Sequence, residues 1–250
     1  MTASATIAVV SAIDADMPPL PLLAERLRDI QAVLFDLDGT LIDTVELIRV
    51  SFRYATKAVL GHELSDEITM ANVGQPLARQ FHDMAPDHAA ELLRVYREFN
   101  MAHHDDLAKA YPGTRETLGE VMRRGIPMGI VTSKGTAAAS RGIELFGLGD
   151  LMSVVVTADD VPRHKPDPFP LQFAAGLLGV ELGYSMYLGD SPHDMQAALS
   201  AHAVAVAALW GAFPRDDVLS PGPPFALSRI ADLPALLDGD AERFAVERVV

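Results

Sequence analysis

Two hydrophobic patterns alternate along most of the chain. Short apolar runs, which are typical of buried parallel strands, occupy residues 32–35, 128–131, 154–157, 186–188 and 203–207. Apolar residues spaced three or four positions apart, as in amphipathic helices, fill most of the segments between these runs. The alternation predicts an α/β fold in which a parallel sheet is sandwiched by helices.

A long helical stretch separates the first predicted strand from the second. Leu47, Ile48 and Phe52 recur with helical spacing, and strand patterns are absent until Tyr111-Pro112-Gly113 ends the stretch. An all-helical insertion into the α/β core is the simplest organisation. The predicted division is an N-terminal extension at 1–29, a core at 30–45 and 112–237, an inserted all-helical domain at 46–111, and an acidic C-terminal tail at 238–250.

Polar side chains follow three of the predicted strands at the point where each strand ends. They are Asp36 and Asp38 after the first strand, Thr132 and Ser133 after the second, and Asp190 and Asp194 after the strand at 186–188. Parallel strands joined by right-handed crossovers present their carboxyl ends at the same edge of a sheet, where ligands bind in folds of this class. The sequence therefore predicts one site built from all of these side chains.

Composition and charge narrow the classes of partner. The 250 residues carry a net charge of −14, which disfavours nucleic acid and anionic membranes because both attract basic surfaces. The sequence contains no cysteine, so thiolate metal sites and cysteine nucleophiles are excluded. Apolar runs are too short to span a membrane, and the first has no basic flank of a secretory signal. We expect a cytoplasmic protein without a membrane partner.

The predicted site collects carboxylates that repel one another unless a cation lies between them. Oxygen ligands without histidine or cysteine favour Mg²⁺, which binds carboxylates together with water and substrate phosphate. Thr132 offers a hydroxyl and Lys165 a positive charge, and both kinds of group stabilise a transferring phosphoryl group. A carboxylate that can attack phosphorus completes the set. These residue types indicate phosphoryl transfer through an aspartyl-phosphate.

Four segments resemble, in order, the motifs of the haloacid dehalogenase-like hydrolase superfamily. They are DLDGT at 36–40, Thr132 after the second strand, Lys165 within HKPDP, and GDSPHD at 189–194. The resemblance covers residues 30–212, and the four motifs together are far more specific than any one alone. It implies a Rossmann-like parallel sheet sandwiched by helices, with the all-helical domain at 46–111 acting as a mobile cap.

The resemblance also implies a role for each matching residue. Asp36 would be the nucleophile, and Asp38 would protonate the leaving group and then activate water. Thr132 and Lys165 would complete the catalytic set. Gly39, Thr132, Ser133 and Lys165 would bind the phosphate group of the substrate. Mg²⁺ would be held by Asp36, Asp38, Asp190 and Asp194, with Asp38 contributing its backbone carbonyl and Asp194 ordering the metal's water shell or the lysine.

Further segments resemble the phosphoglycolate phosphatase group and its pyrophosphatase relatives. These segments are YPGTRETL, IVTSKG, HKPDPFPLQFA, YLGDSPHDMQAA and ALWGAF. They imply a small phosphorylated metabolite as the substrate, with phosphoglycolate as the first candidate. One departure from the pattern is His202, where relatives carry glycine, and another is the long N-terminal extension.

Several residues have two interpretations at this stage. In the helical insertion, Gln75 and Arg79 are candidates for recognition of the leaving group, but they could equally form a solvated helix face. Thr132 and Ser133 could cap the following helix, a role that is compatible with phosphate binding. Lys134 is expected to be a helper or a surface charge, and His193 is expected to face solvent.

Alternative functions stay open as well. The DLDGT stretch alone could be a cation-binding or capping turn, because its residues are common in turns. A phosphomutase of the β-phosphoglucomutase type and a pyrophosphatase would use the same core. A non-catalytic phosphate-binding protein is disfavoured because all four motifs are complete. The sequence is compatible with a monomer or a homodimer.

Overall fold

Six parallel strands form the centre of the fold in this computed structural model, which describes residues 20–246. Within that range the strands are β1 (Ala32–Phe35), β2 (Ile42–Asp43), β3 (Lys109–Ala110), β4 (Met128–Val131), β5 (Val154–Val156), β6 (Ser185–Gly189), β7 (Val204–Ala208) and β8 (Phe225–Leu227). The main sheet has the order β5-β4-β1-β6-β7-β8, and every pair in it is parallel. This order confirms the predicted parallel sheet.

Helices connect most of these strands. Within residues 20–246 they are α1 (Leu20–Arg28), α2 (Val45–Leu60), α3 (Asp66–Thr69), α4 (Leu77–Met84), α5 (Ala89–Leu107), α6 (Thr114–Arg123), α7 (Thr136–Leu145), α8 (Phe169–Leu178), α9 (Pro192–Ser200), α10 (Arg215–Leu219), α11 (Leu233–Leu237) and α12 (Ala241–Phe244). None of them combines the length and the apolar character that a membrane span needs.

The central strand β1 is buried on both faces, as an all-parallel sheet requires. Val33 and Phe35 belong to a hydrophobic cluster on one face, which includes Leu118 of α6. Leu34 points to the opposite face and joins a second cluster with Leu171 of α8. Because side chains alternate along a strand, the uniformly apolar run at 32–35 places hydrophobic residues on both faces. The helices therefore sandwich the sheet, as predicted.

Helices α2 to α5 form a separate block with its own hydrophobic cluster. Phe52, Phe81 and Tyr96 form its centre, with the Phe52 and Tyr96 rings 4.9 Å apart and the Phe52 and Phe81 rings 5.3 Å apart. The block is connected to the core through β2 and β3, which pair antiparallel with Ile42 opposite Ala110. Strand β3 lies where the sequence predicted none, because a two-residue strand is too short to show a pattern.

The C-terminal part of the core differs from the prediction in two places. Strand β8 extends the sheet beyond β7, which the sequence predicted to be the last strand; its three residues directly follow a proline-rich loop. The predicted acidic tail begins inside the fold, since Ala241 and Phe244 of α12 are buried. These two apolar residues lie three positions apart on one helix face and pack into the core. Residues 247–250 of the predicted tail lie outside the described range.

Helix α1 ties the end of the predicted N-terminal extension to the core. Arg26 donates from Nη2 to the carbonyl oxygens of Gly183 at 2.9 Å and His202 at 2.8 Å. His202 has a φ of 57°, in the left-handed region that glycine adopts without steric penalty. The turn between α9 and β7 thus has the conformation for which a glycine would be expected. Residues 1–19 of the extension lie outside the described range.

Candidate active site

Asp36 lies directly after β1, in the middle of the main sheet. Its backbone N–H donates to the carbonyl of Leu188 at 2.9 Å, which continues the pairing with β6 by one residue. Its side chain is buried, with 5% of the residue exposed. The sheet therefore holds this carboxylate in a fixed position at the carboxyl edge, where the sequence predicts the site.

Gly39 allows Asp190 to approach the turn after β1. The backbone at Gly39 has a φ of 81°, and a Cβ there would lie 2.2 Å from Oδ2 of Asp190. Asp190 accepts hydrogen bonds from the Thr40 hydroxyl at 3.1 Å and from the Ala212 backbone N–H at 2.8 Å. Any side chain at position 39 would displace the carboxylate. Gly39 thus shapes the site through its backbone.

Lys165 joins two of the predicted carboxylates. Its Nζ donates to Oδ1 of Asp36 at 2.9 Å and to Oδ1 of Asp194 at 2.6 Å. It also donates to the Tyr187 hydroxyl at 2.9 Å, and Tyr187 itself contacts Asp194 Oδ1 at 3.0 Å. All four residues are buried. Tyr187 was missed by sequence analysis because an aromatic residue in the middle of a buried strand normally indicates only packing.

The buried part of the site contains more carboxylates than lysine side chains. Burial raises the pKa of Asp36 to about 7, although the Lys165 charge opposes this and the Asp194 charge adds to it. Burial, together with the charges of Asp194 and Asp36, also raises the pKa of Asp190 well above its usual value. Loss of hydration disfavours both ionised carboxylates. An additional cation at this position would stabilise them.

Three of the carboxylates lie close enough together to hold a metal ion. One oxygen from each of Asp36, Asp190 and Asp194 lies within 4.8 Å of the others, and all three residues are buried. Hard divalent cations prefer such oxygen ligands. Both oxygens of Asp194 already accept hydrogen bonds, one from Lys165 and the other from Ser191. This geometry favours Asp36 and Asp190 as direct ligands and Asp194 as the residue that positions Lys165.

Asp38 is separated from this cluster and has different partners. Its Oδ1 accepts from the Thr44 hydroxyl at 2.6 Å and from Lys134 Nζ at 2.7 Å. Lys134 is therefore part of the site, which favours the expected role of a helper over that of a surface charge; its side chain is only 10% exposed. The sequence left both roles open because a lone lysine in a loop is usually solvated. With Oδ1 held in this way, the second carboxylate oxygen is available for proton transfer.

Thr132 and Ser133 follow β4 and line the same cavity as Asp36. Thr132 is buried, and its hydroxyl accepts from the Lys134 backbone N–H at 3.1 Å. The N-cap position of helix α7 is Gly135, so neither Thr132 nor Ser133 caps the helix. The structure thus brings both predicted phosphate-binding residues to the site and leaves the helix-capping interpretation unsupported.

The two predicted recognition residues of the helical block lie in different places. Gln75 lines the cavity, and its Nε2 lies 2.9 Å from Nε2 of His193. His193 was expected to face solvent, but it is half-buried against this loop because α9 begins next to the helical block. Arg79 is exposed, lies near Asp83, and is not among the residues that line the cavity. The structure does not bring Arg79 to the site.

A cavity of about 310 Å³ lies between the sheet edge and the helical block. Its core side includes Asp36, Asp38, Thr132, Ser133, Lys134 and Asp190. Its opposite side is formed by residues of α2, α4 and α5, including Ile48, Phe52, Gln80 and Tyr96. Clefts of this size bind small molecules.

A parallel sheet that places buried aspartates and a lysine at its carboxyl edge, next to a cavity, defines an α/β enzyme equipped for phosphoryl chemistry. The sequence model of the haloacid dehalogenase-like hydrolase family matches residues 33–208. The chain belongs to this family, and it is a hydrolase of the phosphatase type.

Similar proteins agree with this assignment. The chain is 34% identical over 206 residues to "Pyrophosphatase PpaX" of Bacillus velezensis, covering 82% of this chain and 95% of that protein. It is 36% identical over 208 residues to "Pyrophosphatase PpaX" of Bacillus cereus, covering 83% and 96%. A crystal structure of a predicted phosphoglycolate phosphatase from Haemophilus somnus superimposes with a TM-score of 0.73 at 25% identity, covering 83% and 98%.

Proposed function

We propose that the protein is a Mg²⁺-dependent phosphatase that hydrolyses a small phosphorylated metabolite through an aspartyl-phosphate on Asp36. The observation that carries the proposal is the buried contact of Lys165 Nζ with Asp36 Oδ1 at 2.9 Å, beside Asp190. This lysine charge holds the carboxylate in place and favours its ionised, nucleophilic form. Phosphoglycolate and inorganic pyrophosphate are the two substrates that the resemblance and the relatives' names suggest.

The proposed reaction has two chemical steps, and side chains of the site take part in each. In the first step, an oxygen of Asp36 bonds to phosphorus while the bond from phosphorus to the leaving oxygen breaks, and Asp38 protonates that oxygen. In the second step, Asp38 takes a proton from water, and the water oxygen displaces Asp36 from phosphorus. Thr132, Ser133 and Lys165 bind the phosphoryl oxygens. The enzyme returns to its starting state with inorganic phosphate released.

Asp36 and Asp190 would hold Mg²⁺ through their carboxylates, and Asp38 would hold it through its backbone carbonyl. When bound, the ion neutralises negative charge on the transferring phosphoryl group. The helical block at 46–111 would act as the cap that excludes bulk water from the cavity. Asp194 would contribute indirectly, because it holds Lys165 at 2.6 Å.

Release of p-nitrophenol from p-nitrophenyl phosphate tests the proposed activity. We expect turnover with Mg²⁺ and its loss when EDTA removes the ion, because Asp36 and Asp190 then lack their counter-charge. A parallel assay with β-glucose 1-phosphate measures free phosphate and glucose 6-phosphate. Faster formation of glucose 6-phosphate than of free phosphate would establish a phosphomutase instead, and no turnover of any ester would overturn the proposal.

Mg²⁺ should stabilise the fold more strongly as the pH rises. The folded-state pKa of Asp36 is about 7, above the unfolded value, so its contribution to stability is present at low pH and is lost as the pH rises through 7. Mg²⁺ binds the ionised form and restores the loss, by about 3 kcal/mol at a hundred times the dissociation constant. Differential scanning calorimetry at pH 5 and pH 8 should show a larger Mg²⁺-induced rise in Tm at pH 8.

Two variants make this measurement specific to the site. Asp190→Asn should abolish the Mg²⁺-induced rise in Tm, because it removes a predicted ligand. Asp43→Asn changes a carboxylate of β2 outside the cluster of Asp36, Asp190 and Asp194, and it should retain the rise. Equal stabilisation at both pH values, or an undiminished rise in Asp190→Asn, would contradict the assignment.

A further inference from the structure

The cavity wall opposite Asp36 is apolar and rigid. Ile48 and Phe52 of α2 and Tyr96 of α5 line it, and each also belongs to the buried hydrophobic cluster of the helical block. The Tyr96 ring packs edge-on against Phe52 at 4.9 Å. Side chains packed in a hydrophobic core keep their positions. The wall therefore offers a fixed apolar surface to the part of a substrate that extends away from phosphorus.

Gln80 provides a polar group within this wall. Its Nε2 donates to the carbonyl of Gln75 at 2.7 Å, which fixes the orientation of the amide. Its Oε1 has no hydrogen-bond partner although the residue is only 4% exposed, and Gln80 lines the cavity. A buried acceptor without a partner is unfavourable. A hydroxyl or N–H group of a bound ligand would supply the missing donor.

Positive charge in the cavity lies near acidic groups. Among the described residues that line it, the basic side chains are Lys134 and Arg97. Lys134 pairs with Asp38 at 2.7 Å. Arg97 is exposed, and its Nη2 and the Asp159 carboxylate both lie within 4 Å of the Cβ position at Gly135, on the core side. Ile48, Phe52, Gln80 and Tyr96 thus offer no cation to a second phosphate or a carboxylate, and burial of such a charge against them is strongly disfavoured.

From this wall, its unpaired acceptor and its charge distribution, we infer that the substrate is a phosphomonoester of an uncharged alcohol that combines an apolar surface with a hydrogen-bond donor. The inference rests on the proposed phosphatase activity and narrows it to one class of leaving group. The apolar surface would lie against Ile48, Phe52 and Tyr96, and the donor would pair with Gln80 Oε1. Inorganic pyrophosphate and phosphoglycolate both carry a charged leaving group and would be poor substrates.

Four probes test the inference by their kcat/KM values in the presence of Mg²⁺. Phenyl phosphate is apolar without a donor, and 4-(hydroxymethyl)phenyl phosphate adds one hydroxyl. Phosphoglycolate and pyrophosphate carry the charged leaving groups. We expect both aryl esters to exceed the charged pair by about tenfold or more, since each 1.4 kcal/mol of lost binding is tenfold. The hydroxyl should add about another tenfold through its bond to Gln80.

Gln80→Leu should remove the advantage of the hydroxymethyl ester over phenyl phosphate while phenyl phosphate turnover is retained. The matched control is Gln172→Leu, which changes an exposed glutamine of α8 and should leave all four values unaltered. Thermal unfolding of both variants separates a loss of recognition from a loss of folding. An unchanged ratio between the two aryl esters in Gln80→Leu would overturn the role of Gln80.

A charge inserted into the wall provides an independent test. Met101 of α5 lines the cavity and is 41% exposed, so Met101→Lys introduces a cation at a tolerant position. It should raise kcat/KM for phosphoglycolate and pyrophosphate by about tenfold and lower it for phenyl phosphate. Met122→Lys is the control, because Met122 of α6 is 53% exposed and does not line this cavity.

The outcomes separate this inference from the proposed function. If wild-type protein hydrolyses phosphoglycolate or pyrophosphate faster than both aryl esters, the inferred substrate class is wrong and the phosphatase activity stands. If none of the four probes is hydrolysed with Mg²⁺ present, the phosphatase proposal itself fails. An aryl-ester preference that Met101→Lys reverses would support both.

Discussion

Replacement of Asp36 by asparagine is expected to lower phosphate release by at least about a thousandfold, as loss of a covalent nucleophile does in other enzymes. The amide has nearly the same shape and can still accept a hydrogen bond from Lys165, which Asp36 contacts at 2.9 Å. It cannot form the acyl-phosphate bond. Steady-state phosphate release and thermal unfolding together should show a folded but inactive protein.

Asp43→Asn is the matched control for this substitution. Asp43 lies seven positions further along the same stretch, in β2, and makes a local hydrogen bond to the Val45 N–H at 3.2 Å. We expect its replacement to leave kcat within about twofold of wild type, since Asp43 lies outside the cluster of buried carboxylates and substitutions away from a site have small effects. Mass spectrometry of acid-quenched wild-type enzyme should detect a phosphorylated peptide that contains Asp36. Residual activity of more than a few per cent in Asp36→Asn would refute the covalent mechanism.

Replacement of Lys165 by methionine should destabilise the fold by about 3–5 kcal/mol in the absence of Mg²⁺. The Lys165 side chain is 1% exposed, and its removal leaves Asp36 and Asp194 facing each other without a positive charge. Activity should also be lost, because the nucleophile is no longer held. Urea denaturation, with the slope checked for two-state behaviour, measures the change in the free energy of unfolding.

Two further variants separate charge from packing at this position. The double variant Lys165→Met/Asp194→Asn removes the negative charge of Asp194 as well as the positive charge of Lys165. Part of the lost stability should therefore return. Lys134→Met should cost less than Lys165→Met, because Asp38 is 16% exposed and keeps its bond from Thr44. If Lys134→Met and Lys165→Met proved equally destabilising, the buried network would not have the importance assigned to it.

The parallel sheet was predictable because its strands are continuous apolar runs, and the structure places these runs in one sheet. The short elements were not. β3 has two residues and β8 has three, fewer than a periodic pattern needs to be recognised. The helix at Ala241–Phe244 was hidden within an acidic segment, because only two of its residues face the core. Tertiary packing, rather than local propensity, determines these elements.

The acidic part of the candidate site was predictable from motif order, since each motif follows a strand that ends at the same edge. Contacts between elements were not. The pairing of Lys134 with Asp38 joins positions 96 residues apart, and the contact of Gln75 with His193 joins positions 118 apart. The first contact depends on how two loops of the core meet, and the second depends on how the helical block sits on the core. Arg79 illustrates the same limit, because its helix presents it to solvent.

The pairing of β2 with β3 affects how the substrate recognition of this protein could change in evolution. Because Ile42 pairs with Ala110, the intervening helices enter and leave the core at adjacent points. A segment with neighbouring ends can be replaced with little loss of chain entropy, which is why insertions concentrate at such points. Adjacent ends of this kind would allow the helical block to be exchanged as a unit. Recombination at this junction would place a different recognition surface over Asp36 without changing the residues of the reaction centre.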